Sequence, residues 1–338
     1  MLSSGVIIVD KPQGATSHDV VAACRSLLHT SKVGHAGTLD PMATGTLVVG
    51  FGSATRLLNA IVGTDKTYIT TIHLGDSSTT DDADGEIVNL SAEQRVAVDL
   101  RLAAITPADI YREVSQLTGA IEQIPSTYSA KKINGKRAYD LARRGEHVEL
   151  NSRTVTVSDF HVESIRRMES GHIEVDAQIT CSAGTYIRAL GRDLGSALGV
   201  GGYLTMLRRT RVGKFSVNDA KTIVFEAREH EFTDKTGARV KRVKAYAPTD
   251  IRDGARLSQS IITPAQAATL TMPTYNLTPQ QAIDISFGRP LKVALEELSA
   301  ALYDGHLMAL IEPWKNNTQA KPTTVFITAA DLAALMQA

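Results

Sequence analysis

The chain has 338 residues, 43% of them apolar and 21% charged, enough to bury a large core as one big domain or two. That composition excludes a disordered or collagen-like polymer. With 36 basic side chains against 36 acidic ones the net charge is zero, so any grip on nucleic acid or an anionic membrane must come from local clusters.

The opening segment carries no early positive charge and closes its apolar run at Asp10, the layout of a first strand over Gly5 to Val9 rather than of a signal peptide. Ser17 is then placed to cap a helix whose Val20, Val21, Cys24, Leu27 and Leu28 share one face. Residues Gly34 to Gly45, with Gly37 and Pro41 inside, predict a long shaped loop, followed by a buried strand at Leu47 to Phe51 and a short helix capped by Ser53 and ending near Val62. Lys66 to Leu74 alternates as a strand, and Asp84-Gly85 turns the chain. Thr106-Pro107 with Asp109 supplies a cap, a first-turn proline and an acidic third position for a helix closed by Gly119. Asn134-Gly135 is a turn dipeptide ahead of a helix at Ala138 to Arg144. Val155 to Ile165 and His172 to Cys181 predict an antiparallel pair across Ser170-Gly171, before a helix at Thr185 to Leu198 and a strand at Tyr203 to Val212.

Past Ala227 the texture changes. Arg228 to Arg256 is charge-dense and reads as a linker or an ornamented junction, with disorder and RNA contact both open. Leu257 to Ile283 is uncharged and long enough to cross a membrane, but Pro264, Pro273, Pro279 and many polar residues exclude that. The expected organisation is a main domain over 1–227, a connecting segment over 228–271 and a small domain over 272–338, with short β-like runs near Leu291, Met308 and Val325.

The sequence holds no GxxxxGK[ST] phosphate loop, GxGxxG turn, HExxH or GxSxG elbow, which removes the usual support for nucleotide-triphosphate, nicotinamide, zinc-protease and serine-hydrolase chemistry. Cys24 and Cys181 form no CxxC or Cys/His array, so neither a disulfide scaffold nor a zinc site is predicted, and a reduced, cytoplasmic compartment is expected. Asp40 stands out because a glycine-rich loop next to Pro41 can hold a carboxylate rigidly at the mouth of a cleft; a simple turn with a side-chain-to-backbone bond accounts for the same residues. Two basic clusters, Lys131, Lys132, Lys136, Arg137, Arg143 and Arg144, then Arg208, Arg209, Arg211 and Lys214, suit either a phosphate backbone or a solvated face.

The run Gly34-His35-Ala36-Gly37-Thr38-Leu39-Asp40-Pro41-Met42-Ala43-Thr44-Gly45 resembles the catalytic motif of the TruB family, the bacterial tRNA pseudouridine-55 synthases. The resemblance continues in Lys11 to Gly14, Lys66-Thr67-Tyr68, Asp82 to Gly85, Pro125-Ser126 through Lys136, Cys181 to Arg188 and Leu207-Arg208-Arg209, in the family's order over roughly two thirds of the chain. It implies an α+β catalytic domain on a mixed, largely antiparallel sheet, with a small C-terminal mostly-β, PUA-like RNA-binding domain. The activity implied breaks the bond from ribose C1′ to uracil N1, turns the base and rejoins C1′ to C5; no atom is gained and no electron transferred, so no cofactor or metal is implied. Asp40 resembles the family's nucleophile, Arg188 its ion-pair partner and Tyr68 its active-site tyrosine, packed on the base. Tyr186 and Leu207 fall where the family lines its uracil pocket, His35 where a histidine fills the gap near the flipped nucleotide, and Lys11 and Asp82 in motifs expected to give supporting contacts. Lys131, Lys132, Lys136, Arg137, Arg208 and Arg209 are the expected grip on a tRNA T stem-loop. A monomer with no obligatory protein partner is expected. Alternatives are a tRNA-folding factor using the same surface, a synthase acting on ribosomal RNA, whose loop is typically of HRLD type, and a glycosidase, which would want a second carboxylate such as Asp82.

Overall fold

The structure, a computed structural model, describes residues 3–126, 132–133, 136–137, 151–233, 237–252 and 254–337. In chain order the first half contains β1 (Gly5–Lys11), α1 (Ser17–Leu28), β2 (Val33–His35), β3 (Thr44–Phe51), α2 (Leu58–Val62), β4 (Lys66–Leu74), α3 (Ala92–Ala104), α4 (Pro107–Gln116), β5 (Gly119–Gln123), β6 (Lys132–Ile133) and β7 (Lys136–Arg137). Then come β8 (Arg153–Arg167), β9 (Ile173–Cys181), α5 (Ile187–Leu198), β10 (Gly202–Val212), β11 (Phe215–Ser216), β12 (Ile223–Val224), β13 (Glu226–Thr233) and β14 (Arg239–Tyr246). The last part holds α6 (Gly254–Ser260), α7 (Pro264–Thr271), β15 (Thr274–Asn276), α8 (Pro279–Ser286), β16 (Ser299–Tyr303), β17 (His306–Trp314), β18 (Gln319–Val325) and α9 (Ala329–Leu335).

Ten strands form one mixed sheet with the central order β12-β1-β3-β10-β4-β9-β8-β5. Most neighbours run antiparallel. The exceptions are β1 with β12 and a short seam where Thr44 and Gly45 of β3 lie beside Arg208 and Arg209 of β10. That seam joins the two halves of the sheet, and the loop that feeds β3 emerges there. Gly45 is required at this crossing: its φ is +104°, and a Cβ would sit 2.1 Å from the carbonyl oxygen of Arg209.

One face of the β4–β9 half buries Ile72, Val175, Ala177 and Ile179 against Leu190 and Leu194 of α5. On the other half, alternate residues of β1 separate two cores, Ile7 and Val9 packing under α1 and Val6 and Ile8 under α2 and α7. The small sheet β15-β16-β17-β18 has a core of its own, including Ala309, Ile311 and Leu332, yet Leu307 and Leu310 of β17 also pack into the core shared by β1 and α7.

Several local expectations are refined. The cap of α1 is Thr16, whose side chain accepts from the Asp19 N–H, and Ser17 is the first helical residue. Helix α3 adds to the predicted elements; Ser91 and Gln94 form its capping box, but Leu102 is its one buried residue, so it carries little apolar period. The charge-dense segment is a folded hairpin, β13 with β14, in register from Glu226↔Tyr246 to Thr233↔Arg239. It is so rich in charge because all of β13 faces water, while Arg242 reaches Asp19 at 2.8 Å and Val243 and Ala245 pack beneath α1. In the uncharged stretch two of the three prolines open helices: Pro264 and Pro279 follow the capping residues Thr263 and Thr278. No helix among the described residues is long and apolar enough to cross a membrane. Lys131, the Asn134-Gly135 turn and the helix expected at Ala138 to Arg144 lie outside the described residues; Lys132↔Arg137 and Ile133↔Lys136 pair antiparallel on either side of that turn.

Candidate active site

The loop between β2 and β3 is pinned residue by residue. Arg209, 1% exposed, sends Nε to the Thr46 carbonyl at 2.8 Å, Nη2 to Gly37 at 3.0 Å and Nη1 to Thr38 at 3.3 Å. The Ser17 hydroxyl accepts from the Leu39 N–H at 2.8 Å and donates to the Leu39 carbonyl at 3.1 Å. Lys11, fully buried, spends its ammonium on the carbonyls of Pro12, Ala15 and Pro41 at 2.9, 2.6 and 3.3 Å. Asp40 is left projecting from this frame with its side chain 38% exposed.

Arg188 faces it. As the second residue of α5 it is 5% exposed, and its Nε lies 3.0 Å from Asp40 Oδ2. Its Nη1 meets Asp82 Oδ2 at 3.0 Å and donates to the Thr80 carbonyl at 2.8 Å. A planar guanidinium held by one buried carboxylate can present a fixed edge to another, which a flexible ammonium cannot. The turn before α5 is fixed by Gln123, whose side chain accepts from the Tyr186 N–H at 2.7 Å and donates to the Tyr186 carbonyl at 2.9 Å.

Asp40 and Arg188 open onto a cleft of about 420 Å³ whose walls include Tyr68, Tyr186, Leu207, Lys66 and Arg153. Tyr68 and Leu207 are 8% and 5% exposed, a flat apolar lining with one polar end. Burial raises the Tyr68 phenol above its ordinary value, an effect the neighbouring Arg209 opposes, so the hydroxyl keeps its proton near neutrality. Burial lowers Lys11 from 10.5 to about 8 despite the nearby Asp40. Burial, reinforced by Asp82 and Asp40, raises Asp84.

The structure thus brings Asp40, Arg188, Tyr68, Tyr186 and Leu207 together. Asp82 stands behind Arg188 and Lys11 beneath the loop; both support the site and neither lines the cleft. His35 ends β2 with its ring 5.8 Å from that of His18, outside the lining, and burial, His18 and Arg209 lower its pKa. Arg208 and Arg209, grouped by the sequence as a grip on RNA, lie in different environments. Arg209 is buried and holds the loop, while Arg208 is paired with Asp10 at 2.7 and 3.0 Å. Alternation along β10 and its bulge between Arg209 and Arg211 turn these neighbours into different environments. Lys131 is outside the described residues, and for Lys132, Lys136 and Arg137 it is the backbone pairing that is described. Sequence reasoning missed Gln123 and Arg153. Arg153 opens β8 and stacks its guanidinium over Tyr186 at 4.8 Å, a contact with no signal in local sequence.

The chain is similar over nearly its full length to known proteins. Residues 25–187 match the family model for the N-terminal domain of TruB family pseudouridylate synthases, and residues 188–240 match that for the tRNA pseudouridylate synthase B C-terminal domain. A protein named tRNA pseudouridine synthase B from Bifidobacterium longum subsp. infantis is 44% identical, over 96% of this chain and 98% of its own. Its namesake from Arthrobacter sp. (strain FB24) is also 44% identical, over 96% of each chain. A crystal structure of a Cbf5-Nop10-Gar1 complex contains a chain of the same fold, with a TM-score of 0.68 at 23% identity over 98% of this chain and 87% of that one. Likeness to the bacterial proteins over nearly the full length of both chains settles the matter: the chain belongs to the TruB family and is a pseudouridine synthase, an isomerase.

Proposed function

We propose that the substrate is tRNA and that the target is the uridine at position 55 of its T loop. The names of the relatives support a tRNA substrate. The observation that carries the chemistry is Asp40, held at 3.0 Å by a buried arginine at the mouth of a cleft walled by two tyrosines and a leucine. Extruding a base from a folded loop costs a few kcal/mol, which stacking on Tyr68 and contact with Tyr186 and Leu207 offset. Arg188 keeps the Asp40 carboxylate oriented, so that it attacks, or stabilises positive charge at, the sugar C1′ while the bond to N1 breaks. The freed uracil turns between flat walls and its C5 bonds to C1′; the C5 proton is then lost to solvent and N1 takes one up, with the protonated Tyr68 hydroxyl at hand as a donor.

In this reading recognition is of loop shape and phosphate positions more than of base sequence. Lys131, Lys132, Lys136 and Arg137 grip the T stem-loop, and residues 272–338 add a second RNA-binding unit beyond the 1–227 catalytic domain and the 228–271 connection. The enzyme acts as a monomer in the cytoplasm, without an obligatory protein partner.

The test is tritium release from C5-labelled uridine in an unmodified tRNA transcript, with Asp40→Asn and a transcript lacking the target uridine alongside. Release that requires both Asp40 and that uridine is expected. Release from the transcript without it would relocate the target, and none from intact tRNA would point to another RNA. Charge reversal at Lys131, Lys132 and Arg137 together is expected to raise KM steeply and flatten its salt dependence; unchanged RNA binding would remove that hairpin from the interface.

A further inference from the structure

Five residues along β4 from Tyr68, about 16 Å away and on the opposite face of the sheet, a second cluster of chemistry-bearing side chains has no part in the cleft. His73, near the end of β4, meets Asp76 from the loop that follows and His172 from just before β9. His73 Nε2 is 3.4 Å from Asp76 Oδ2, and His172 Nε2 is 3.2 Å from the same oxygen. Both nitrogens are buried, and neither makes a hydrogen bond. The three ligand atoms lie within 4.8 Å of one another, the one such trio of His, Cys, Asp or Glu among the described residues.

The surroundings orient these atoms inward. Ser170 Oγ lies 2.7 Å from His172 Nδ1. With Nδ1–H donating to that hydroxyl, His172 Nε2 faces the Asp76 carboxylate with its lone pair, an arrangement that either a shared proton or a bound metal cation satisfies. Arg95 takes the other oxygen, with Nη2 at 2.5 Å from Asp76 Oδ1, which turns Oδ2 toward the imidazoles. Glu174, opposite His73 in the β4–β9 register, is paired with Arg166 at 2.9 Å, and Tyr203 covers His73 with its ring centroid 5.0 Å away. Gly75 leaves room for His172: a Cβ there would lie 2.2 Å from the imidazole Cδ2.

We propose that His73, Asp76 and His172 bind one divalent transition-metal ion of zinc type, with a fourth position open to water. Bonds of about 2.0 to 2.1 Å at tetrahedral angles place neighbouring donors about 3.3 Å apart, and the two observed N···O separations bracket that edge. Two imidazoles and a carboxylate are a borderline donor set that zinc accepts and that magnesium or calcium does not prefer. A bound ion would tie the β4 end and its loop to the β8–β9 turn, away from the reacting atoms.

The experiment is zinc titration of the chelator-stripped full-length protein by calorimetry, with metal content and thermal unfolding read on the same samples. Wild type and Asp40→Asn are expected to take up one ion per chain with a raised Tm. A His73→Gln/His172→Gln double variant should bind more than about 100-fold more weakly, and Ser170→Ala about 10- to 100-fold more weakly. Cobalt in place of zinc should give the intense visible bands of tetrahedral coordination in the wild type and not in the double variant. If the double variant does not fold, Asp76→Asn, which preserves shape, carries the same comparison. Equal zinc affinity in wild type and variants, or no stoichiometric uptake by the wild type, would overturn the site.

Discussion

Arg209 shows how one side chain can change meaning between sequence and structure. In a basic string it looks like a phosphate contact; in the fold it is the strut under the loop that carries Asp40, serving three carbonyls with one planar fork. Arg209→Lys keeps the charge but not the fork, and it leaves buried carbonyls unpaired at about 1 to 3 kcal/mol each. The expected outcome is a fall in kcat of about 100-fold, from displacement of Asp40, with RNA affinity nearly unchanged. Single-turnover kinetics beside filter binding separates these; lost affinity at full kcat would make Arg209 an RNA contact after all. Lys11 gives a pH prediction. Its pKa falls on folding from 10.5 to about 8, so between those values the unfolded chain holds a proton that the native protein lacks. Stability from this group therefore rises with pH across that window, and wild type should gain on Lys11→Met by up to about 1.4 kcal/mol per pH unit there. Urea unfolding at pH 8, 9 and 10 checks it, since Lys66, also lowered to about 8 by burial, cancels in the difference.

Among the elements, adjacent residues at the start of α1 divide the labour between fold and site. Thr16 caps the helix, and Thr16→Ala should cost about 0.5 to 2 kcal/mol in urea unfolding with kcat nearly intact. Ser17 instead bridges the Leu39 backbone on both sides, and Ser17→Ala should lower kcat more than its stability loss explains. Most elements are legible in the order of residues alone: Lys66 to Leu74 is the strand expected, and Thr106, Pro107 and Asp109 open α4 as cap, first turn and capping-box partner. What the sequence conceals has a common cause. Helix α3 lies half off the core and shows no stripe, and the β13–β14 hairpin is wet on so much of its surface that its period of two is written in charges rather than apolar residues.

On the scale of the whole molecule, the C-terminal unit is more than an appendage. Leu307 and Leu310 of β17 and Ala265 and Ala268 of α7 complete the core that Val6 and Ile8 of β1 enter from the main sheet. Removing residues 272–338 should therefore expose that core and lower Tm by several degrees, rather than weaken RNA binding alone. Calorimetry of the shortened chain beside the full one decides between the two. Sequence by itself determined the family, the alternation of most strands and helices, and the expectation that Asp40, Tyr68 and Arg188 share one site, because motif order, period and capping are local properties that survive reading in one dimension. Tertiary structure decided which charges are spent and which are available. Arg188 shared between Asp40 and Asp82, Arg209 beneath the loop, and His73 facing His172 across Asp76 are contacts between residues far apart along the chain, fixed by strand order and register, and no local spacing encodes them.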